Sequence, residues 1–193
     1  MGIKFIKEYL YVLKNKTIMK KFLIIGNMNA ITYKEIFPLI RENKMWLGVS
    51  IKSGGRKFNV PYYYKLEADG CGIDDDGKNF IRINGIMWFT DLENNKSNEP
   101  LDLYKHYNPE EYPKYDNYDA IEVSKVRNIP MDYYGVIGVP ITFLNKYCPE
   151  QFEIIGLMSG VKHDAFINGD DGRAKFYING KGVYARVLIR IKK

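Results

Sequence analysis

The sequence predicts an α/β fold, a partial sheet with helices on its faces that carries a large irregular, β-rich insertion. Three observations predict it. A strand, loop, helix, strand pattern runs from Lys20 to Val49. A stretch from Leu92 to Tyr134, rich in Tyr, Pro, Asn and Asp, keeps neither a helical nor a strand period. Strand-like runs then return up to the C-terminus.

The elements follow in order. Ile6, Tyr9, Leu10 and Leu13 recur at helical spacing with Lys4, Lys7, Lys14 and Lys16 on the other side, an amphipathic helix. Phe22-Leu23-Ile24-Ile25, ended by Gly26, reads as a strand buried on both faces. Thr32 and Glu35 form a capping-box pattern ahead of Ile36, Leu39 and Ile40, and Asn43-Lys44 stop that helix. Met45 to Val49 supplies the next strand and closes a βαβ unit of a parallel sheet. In such sheets ligands sit beyond the carboxyl ends of the strands, so the loop Gly26-Asn27-Met28-Asn29-Ala30 points toward the function. The alternative is a plain turn in which both Asn residues satisfy local backbone groups. No phosphate-binding glycine pattern accompanies it.

Lys52-Ser53-Gly54-Gly55-Arg56-Lys57 is a basic loop that either lies along a phosphate backbone or is a solvated turn. Phe58 to Tyr64 clusters aromatics, for packing or for stacking on bases. Asp74-Asp75-Asp76-Gly77 lacks the ligand spacing of a calcium loop and reads as a hairpin turn. Strands follow at Phe80 to Ile83 and Gly85 to Thr90, with Arg82 pointing to DNA or to water. The irregular segment from Leu92 to Tyr134, densest at Tyr104 to Tyr118, is too aromatic for disorder and is the main candidate for specific recognition. Beyond it, Gly135 to Leu144 is apolar, Phe152 to Leu157 reads as a strand, and Gly169-Asp170-Asp171-Gly172 and Asn179-Gly180 are turn signals. The final run, Val183 to Ile191, is expected to pair with residues 152–157 at the sheet edge.

Composition narrows the function classes. The net charge of +6 divides into +10 over residues 1–65, −8 over 66–135 and +4 over 136–193, counted from the sequence. Two basic ends suit a polyanion such as nucleic acid, although solvated lysines give the same count. The acidic middle would meet nucleic acid through Tyr, Asn, His and interspersed lysines at base edges rather than by net charge. No apolar run reaches the roughly 20 residues of a membrane span, and no signal-peptide pattern opens the chain. Cys71 and Cys148 make no metal spacing, which predicts a reduced, cytoplasmic protein without metal. His106 and His163 are isolated, and Asp116 with Asp119 reads as solvated loop acids before a catalytic pair, so no catalytic residue is expected.

With these stretches in view the sequence resembles the EcoRI-type adenine-specific DNA methyltransferases over nearly its whole length. The resemblance rests on KKFLIIGNMNAITYKEIFPLIRENKMWLGV (Lys20 to Val49), IMWFTDL (Ile86 to Leu92) and YNPEEYPKYDNYDAIEVSKV (Tyr107 to Val126). It continues through IPMDYYGVIGVPITFL (Ile129 to Leu144), PEQFEIIG (Pro149 to Gly156) and VYARVLIR (Val183 to Arg190). It implies a partial class I methyltransferase-like sheet, transfer of a methyl group from S-adenosylmethionine to the exocyclic amine of adenine, and a target base flipped out of the DNA duplex.

The resemblance further implies that residues 1–50 are later helices and strands of the catalytic sheet, 51–148 a target-recognition insertion, and 149–193 strands returning to the sheet. The expected DNA contacts are Asn27 and Asn29 in the first loop, Lys52, Arg56 and Lys57 in the basic loop, and Arg82 on its strand. In the irregular middle they are Lys105, His106, Lys114, Tyr115, Asn117 and Tyr118. Enzymes of this type carry a glycine-containing cofactor loop and an Asn-Pro-Pro-Phe tetrad before the helix that here begins near Lys4. Met1-Gly2-Ile3 do not match that tetrad, and nothing later substitutes for it. The expectation is therefore a C-terminal portion acting with a missing N-terminal half and inactive alone; the alternative is a non-catalytic DNA-binding remnant.

Overall fold

We describe the chain through a computed structural model, which covers residues 21–33, 35–48, 55–61, 70–93, 98–158 and 175–193. The helix expected around Ile6 to Leu13, Lys52, Tyr62 to Tyr64, His163 and the Gly169 to Gly172 turn lie outside the described residues.

The first apolar run forms β1 (Leu23–Asn27). It is not buried on both faces. Successive side chains of a strand alternate in direction; Ile24 packs against the core, while Leu23 and Ile25 stay 55% and 43% exposed. A 3₁₀ turn, Met28–Thr32, precedes the helix α1 (Phe37–Arg41). Thr32 does not cap this helix: its N-cap is Ile36, without a side-chain cap bond, and Thr32 lies inside the 3₁₀ turn, where its hydroxyl donates to the Asn29 carbonyl at 2.8 Å. The helix opens on Pro38 in its first turn, where a missing N–H costs nothing. Its end follows the sequence reading. Asn43 adopts a left-handed φ of 55°, its amide donates to Ile40 O at 3.0 Å, and the Lys44 amide donates to Leu39 O at 2.8 Å.

β2 (Trp46–Leu47) comes next, but β1 and β2 are not neighbours. β6 (Ile86–Thr90) lies between them, antiparallel to both, with Leu23 opposite Thr90, Asn27 opposite Ile86 and Leu47 opposite Phe89. The two strands of the βαβ unit thus run parallel one strand apart, and the sheet is antiparallel throughout rather than parallel. Met87 and Phe89, 3% and 1% exposed, account for the choice, since they bury the inner face of the wedge strand.

A second, three-stranded sheet has the order β3 (Arg56–Asn59), β5 (Asn79–Ile83), β4 (Cys71–Ile73). The basic stretch expected as loop through Lys57 is therefore already strand at Arg56. The β4–β5 hairpin turns at Asp74 to Lys78, where the Asp74 carboxylate accepts the amides of Asp76 and Lys78 at 3.1 and 2.7 Å. Those amides, chiefly that of Lys78, hold its carboxyl below the ordinary range.

The third sheet has the order β7 (Ile121–Glu122), β8 (Ile137–Pro140), β12 (Arg186–Ile191), β9 (Phe152–Met158). β12 pairs with β9 as the sequence suggests, yet it is a central strand with β8 on its other side, not an edge. Val187, Leu188 and Ile189 are all fully buried, a run that needs cover on both sides. The small hairpin of β10 (Tyr177–Ile178) and β11 (Lys181–Gly182) turns through Asn179-Gly180, whose φ values of 50° and 73° are both positive, as a two-residue hairpin loop requires.

The first and third sheets share one apolar core that includes Phe37, Phe89, Phe143 and Phe152. The 3₁₀ segment Ile141–Lys146 touches both β2 and β12 and bridges them. The irregular middle is pinned to this core. Leu101, Leu103 and Tyr107 face inward at alternate positions, and the Gln151 side chain accepts from Leu101 N at 2.7 Å and donates to Leu101 O at 2.8 Å, as a neighbouring strand would. The architecture is of α/β type, with mixed sheets and few helices. Among the described residues no helix is long and apolar enough to cross a membrane, and no group of three His, Cys, Asp or Glu side chains is placed to hold a metal.

Candidate nucleic-acid interface

The carboxyl end of β1 is also where the three-stranded sheet attaches. β5 ends at Ile83, Asn84-Gly85 connects, and β6 begins at Ile86 opposite Asn27. Arg82 stands four residues before Ile86, so at most about 14 Å of chain separates it from the first loop. The topology therefore brings Asn27, Asn29, Lys57 and Arg82 to one end of the molecule. The backbone of Arg56 starts β3 at the same end.

Lys57 and Arg82 sit directly opposite each other across the β3–β5 ladder and both are exposed. Like charges in that relation cost about 0.2–1 kcal/mol. Lys57 offsets part of this by placing its ammonium 4.3 Å from the centroid of the Phe80 ring, its same-face diagonal neighbour. Phe80 in turn lies over Gly72 of β4; a Cβ there would come within 2.9 Å of the ring. The result is a face of two cations around an aromatic ring. No side chain of this sheet belongs to either buried cluster among the described residues.

The first loop is tightly self-bonded. Asn27 caps the 3₁₀ turn by accepting the Asn29 amide at 2.8 Å, the Asn29 carbonyl accepts from Thr32, and the Met28 amide donates to Gly85 O at 2.6 Å. Both Asn side chains are exposed.

In the irregular middle the expected contacts fall into different roles. Lys105 is half-buried and bridges Pro130, its carbonyl accepting the Met131 amide. His106 is exposed and its Nδ1 lies 2.9 Å from Asp132 Oδ2, whose other oxygen accepts the Tyr107 amide at 2.7 Å. Those two bonds, the His106 one first, hold the Asp132 carboxyl below the ordinary range. Lys114 is exposed beside Asp119, 3.5 Å away.

Tyr115 is a packing residue. It is 5% exposed, stacked on Phe176 with ring centroids 4.1 Å apart, and its hydroxyl donates to Glu122. Burial, then that hydrogen bond, push its phenol far above the ordinary value of 10.0. Tyr118 packs on the same Phe176, with centroids 5.6 Å apart. Asn117 uses both ends of its amide on backbone, donating to Lys175 O and accepting from Tyr177 N.

The sequence reading missed the partner beneath Tyr115. Glu122 and Arg186 form a buried ion pair, 8% and 13% exposed, with the Arg186 Nη2 donating at 2.7 Å and Nε at 2.9 Å. They are 64 residues apart and each looks like an ordinary surface charge in the sequence; the only hint was Glu122 and Arg186 flanked by apolar residues on strand-like runs.

Residues 4–192 match the family model described as adenine-specific methyltransferase EcoRI. The chain is 48% identical over 176 residues to the Type II methyltransferase M.EcoRI of Escherichia coli, covering 90% of this chain and 51% of that protein. It is 37% identical to the Type II methyltransferase M.MpnI of Mycoplasma pneumoniae, over 89% of this chain and 56% of that protein. For M.MgeORF184P of Mycoplasma genitalium the identity is 38%, over 89% and 57%. The chain thus spans about half the length of the curated relatives it matches. No solved structure matches.

Proposed function

The chain belongs to the EcoRI family of adenine-specific methyltransferases, and from that premise we propose that it is the DNA-recognising portion of a restriction-modification type DNA adenine N6-methyltransferase. Its partner is double-stranded DNA in the cytoplasm, and it transfers no methyl group alone. The observation that carries the DNA part is the Lys57 and Arg82 pair, two exposed cations held opposite each other where repulsion disfavours them unless an anion lies between.

The family implies S-adenosylmethionine as methyl donor. The described residues at the carboxyl end of β1 do not fit it. The Asn27 side-chain oxygen, the Thr32 hydroxyl and the Met28 amide are each bonded within the turn or to Gly85. No described carboxylate stands in that loop for a ribose diol. We therefore place the cofactor and the adenine-holding tetrad in the part of the relatives' length that this chain does not span, and this chain's work in binding the duplex around the flipped base.

The test has two arms, radiolabelled methyl transfer to duplex DNA and equilibrium DNA binding. The chain alone is expected to bind DNA with affinity that falls steeply with salt, and to transfer methyl groups only when a polypeptide carrying the tetrad is added. Binding without restored transfer would favour a non-catalytic DNA-binding remnant. Methyl transfer by the chain alone, or no binding at low salt, would overturn the proposal.

A further inference from the structure

We propose that the β10–β11 hairpin is a second DNA-contacting element, with the exposed face formed by Lys175, Tyr177 and Tyr184 lying against bases and phosphate. The inference rests on the DNA-binding reading above and adds residues that reading did not include.

The hairpin has two unlike faces. Phe176 is 1% exposed, and Ile178 and Val183 pack with it in the small cluster around Tyr115 and Tyr118. Alternation sends Tyr177 to the opposite face, where it stands across from Gly182. Tyr177 is 41% exposed and Tyr184, two residues beyond Gly182, is 71% exposed. The Lys175 side chain lies across Gly182, its Cε only 2.6 Å from where a Cβ would be. A lysine laid over a glycine beside two exposed tyrosines combines base-stacking rings with a phosphate-seeking charge.

The element is also anchored to the body of the protein, which lets a hairpin of two-residue strands hold one conformation. The Asp116 amide donates to Tyr177 O at 2.8 Å, and the Asp116 carboxylate accepts the turn amides of Asn179 and Gly180 at 3.1 and 2.8 Å. Asn117 adds its bonds to Lys175 O at 2.8 Å and from Tyr177 N at 3.2 Å. Asn117, expected from the sequence to touch DNA, is thereby a positioning residue that sets the hairpin carrying Tyr177. Residues 136–193 carry a net +4, complementary to a polyanion.

The experiment measures binding of the full chain to a DNA duplex across a salt series, for the unaltered protein and for Tyr177→Ala/Tyr184→Ala, Tyr177→Phe/Tyr184→Phe and Lys175→Gln. The alanine pair is expected to weaken binding about 10-fold or more at constant salt slope, the phenylalanine pair to bind like the unaltered protein, and Lys175→Gln to lower the slope by about one. Photocrosslinking of a 5-iodouracil duplex should also map to Tyr177 or Tyr184, a readout that lost folding cannot imitate. If the unaltered chain does not bind DNA, the functional reading fails and this one with it. If it binds, but the alanine pair binds equally well and crosslinks map only elsewhere, the hairpin inference alone is overturned.

Discussion

Removing the Glu122 carboxylate should cost far more than its unremarkable place in the sequence suggests. Arg186 spends its Nη1 on the Tyr184 and Ala185 carbonyls at 3.0 and 3.2 Å, leaving Nε and Nη2 to Glu122 alone. In Glu122→Ala these donors and a full positive charge stay behind at 13% exposure, and the Tyr115 hydroxyl loses its acceptor as well. An exposed ion pair would be worth about 0–1 kcal/mol; one partner taken from a buried pair costs about 3–5 kcal/mol. Burial decides for the larger figure. Because β7 and β12 both pair with β8, the loss falls on the third sheet as a whole. Urea unfolding followed by tryptophan fluorescence, with the slope unchanged, should show a drop of about 3–5 kcal/mol. The double variant Glu122→Met/Arg186→Met, which removes both charges, should regain most of it. A single variant within about 1 kcal/mol of the unaltered protein would refute the argument that water is excluded from this pair.

Four further outcomes are expected. Gly138→Ala drives a Cβ to within 2.8 Å of the buried Tyr115 ring, and overpacking of this kind should cost about 1–3 kcal/mol in the same unfolding assay. Tyr115 has a phenol pKa raised by burial, so its contribution is complete below the ordinary value of 10.0 and is lost as pH climbs past it; alkaline melting should set in less steeply in Tyr115→Phe. Asp132 has a lowered pKa, so its bonds to His106 and the Tyr107 amide persist above the ordinary 3.8 and fail as pH falls below it; hydrogen exchange at the Tyr107 amide should quicken there, and Asp132→Asn should abolish the dependence. Lys57→Thr should raise stability by a few tenths of a kcal/mol while lowering the salt slope of DNA binding by about one, and a variant that is both less stable and equally salt-sensitive would contradict the anion role.

Chain-local features were legible in the sequence, for local reasons. Asn43 stops α1 because a short polar side chain tolerates the left-handed turn that releases the helix, and its oxygen then takes the Trp46 indole N–H at 2.6 Å. Asn179-Gly180 turns its hairpin because few other pairs accept positive φ at both positions, and in the β4–β5 turn Gly77 takes the positive φ of 74° that glycine tolerates. The β9 and β12 runs are apolar enough to be strands in almost any context. Family membership was equally legible, since it rests on long strings of residues in order rather than on their arrangement in space.

The tertiary structure alone decided which strands meet. Nothing local to Ile86–Thr90 says that it must wedge between β1 and β2; that follows from burying Met87 and Phe89 in a core built with strands distant in sequence. The irregular middle shows the same limit. Tyr115, Asn117 and Tyr118 sit within four residues of one polar, tyrosine-rich stretch, yet Tyr115 is sealed against Phe176 and Glu122, Asn117 clamps a hairpin, and Tyr118 is half-buried beside the same Phe176. Turn chemistry is set by a residue's own φ and ψ. Burial and pairing are set by what the rest of the chain brings to it, which is why the anchor of Tyr177 and the partner of Glu122 came into view only with the fold.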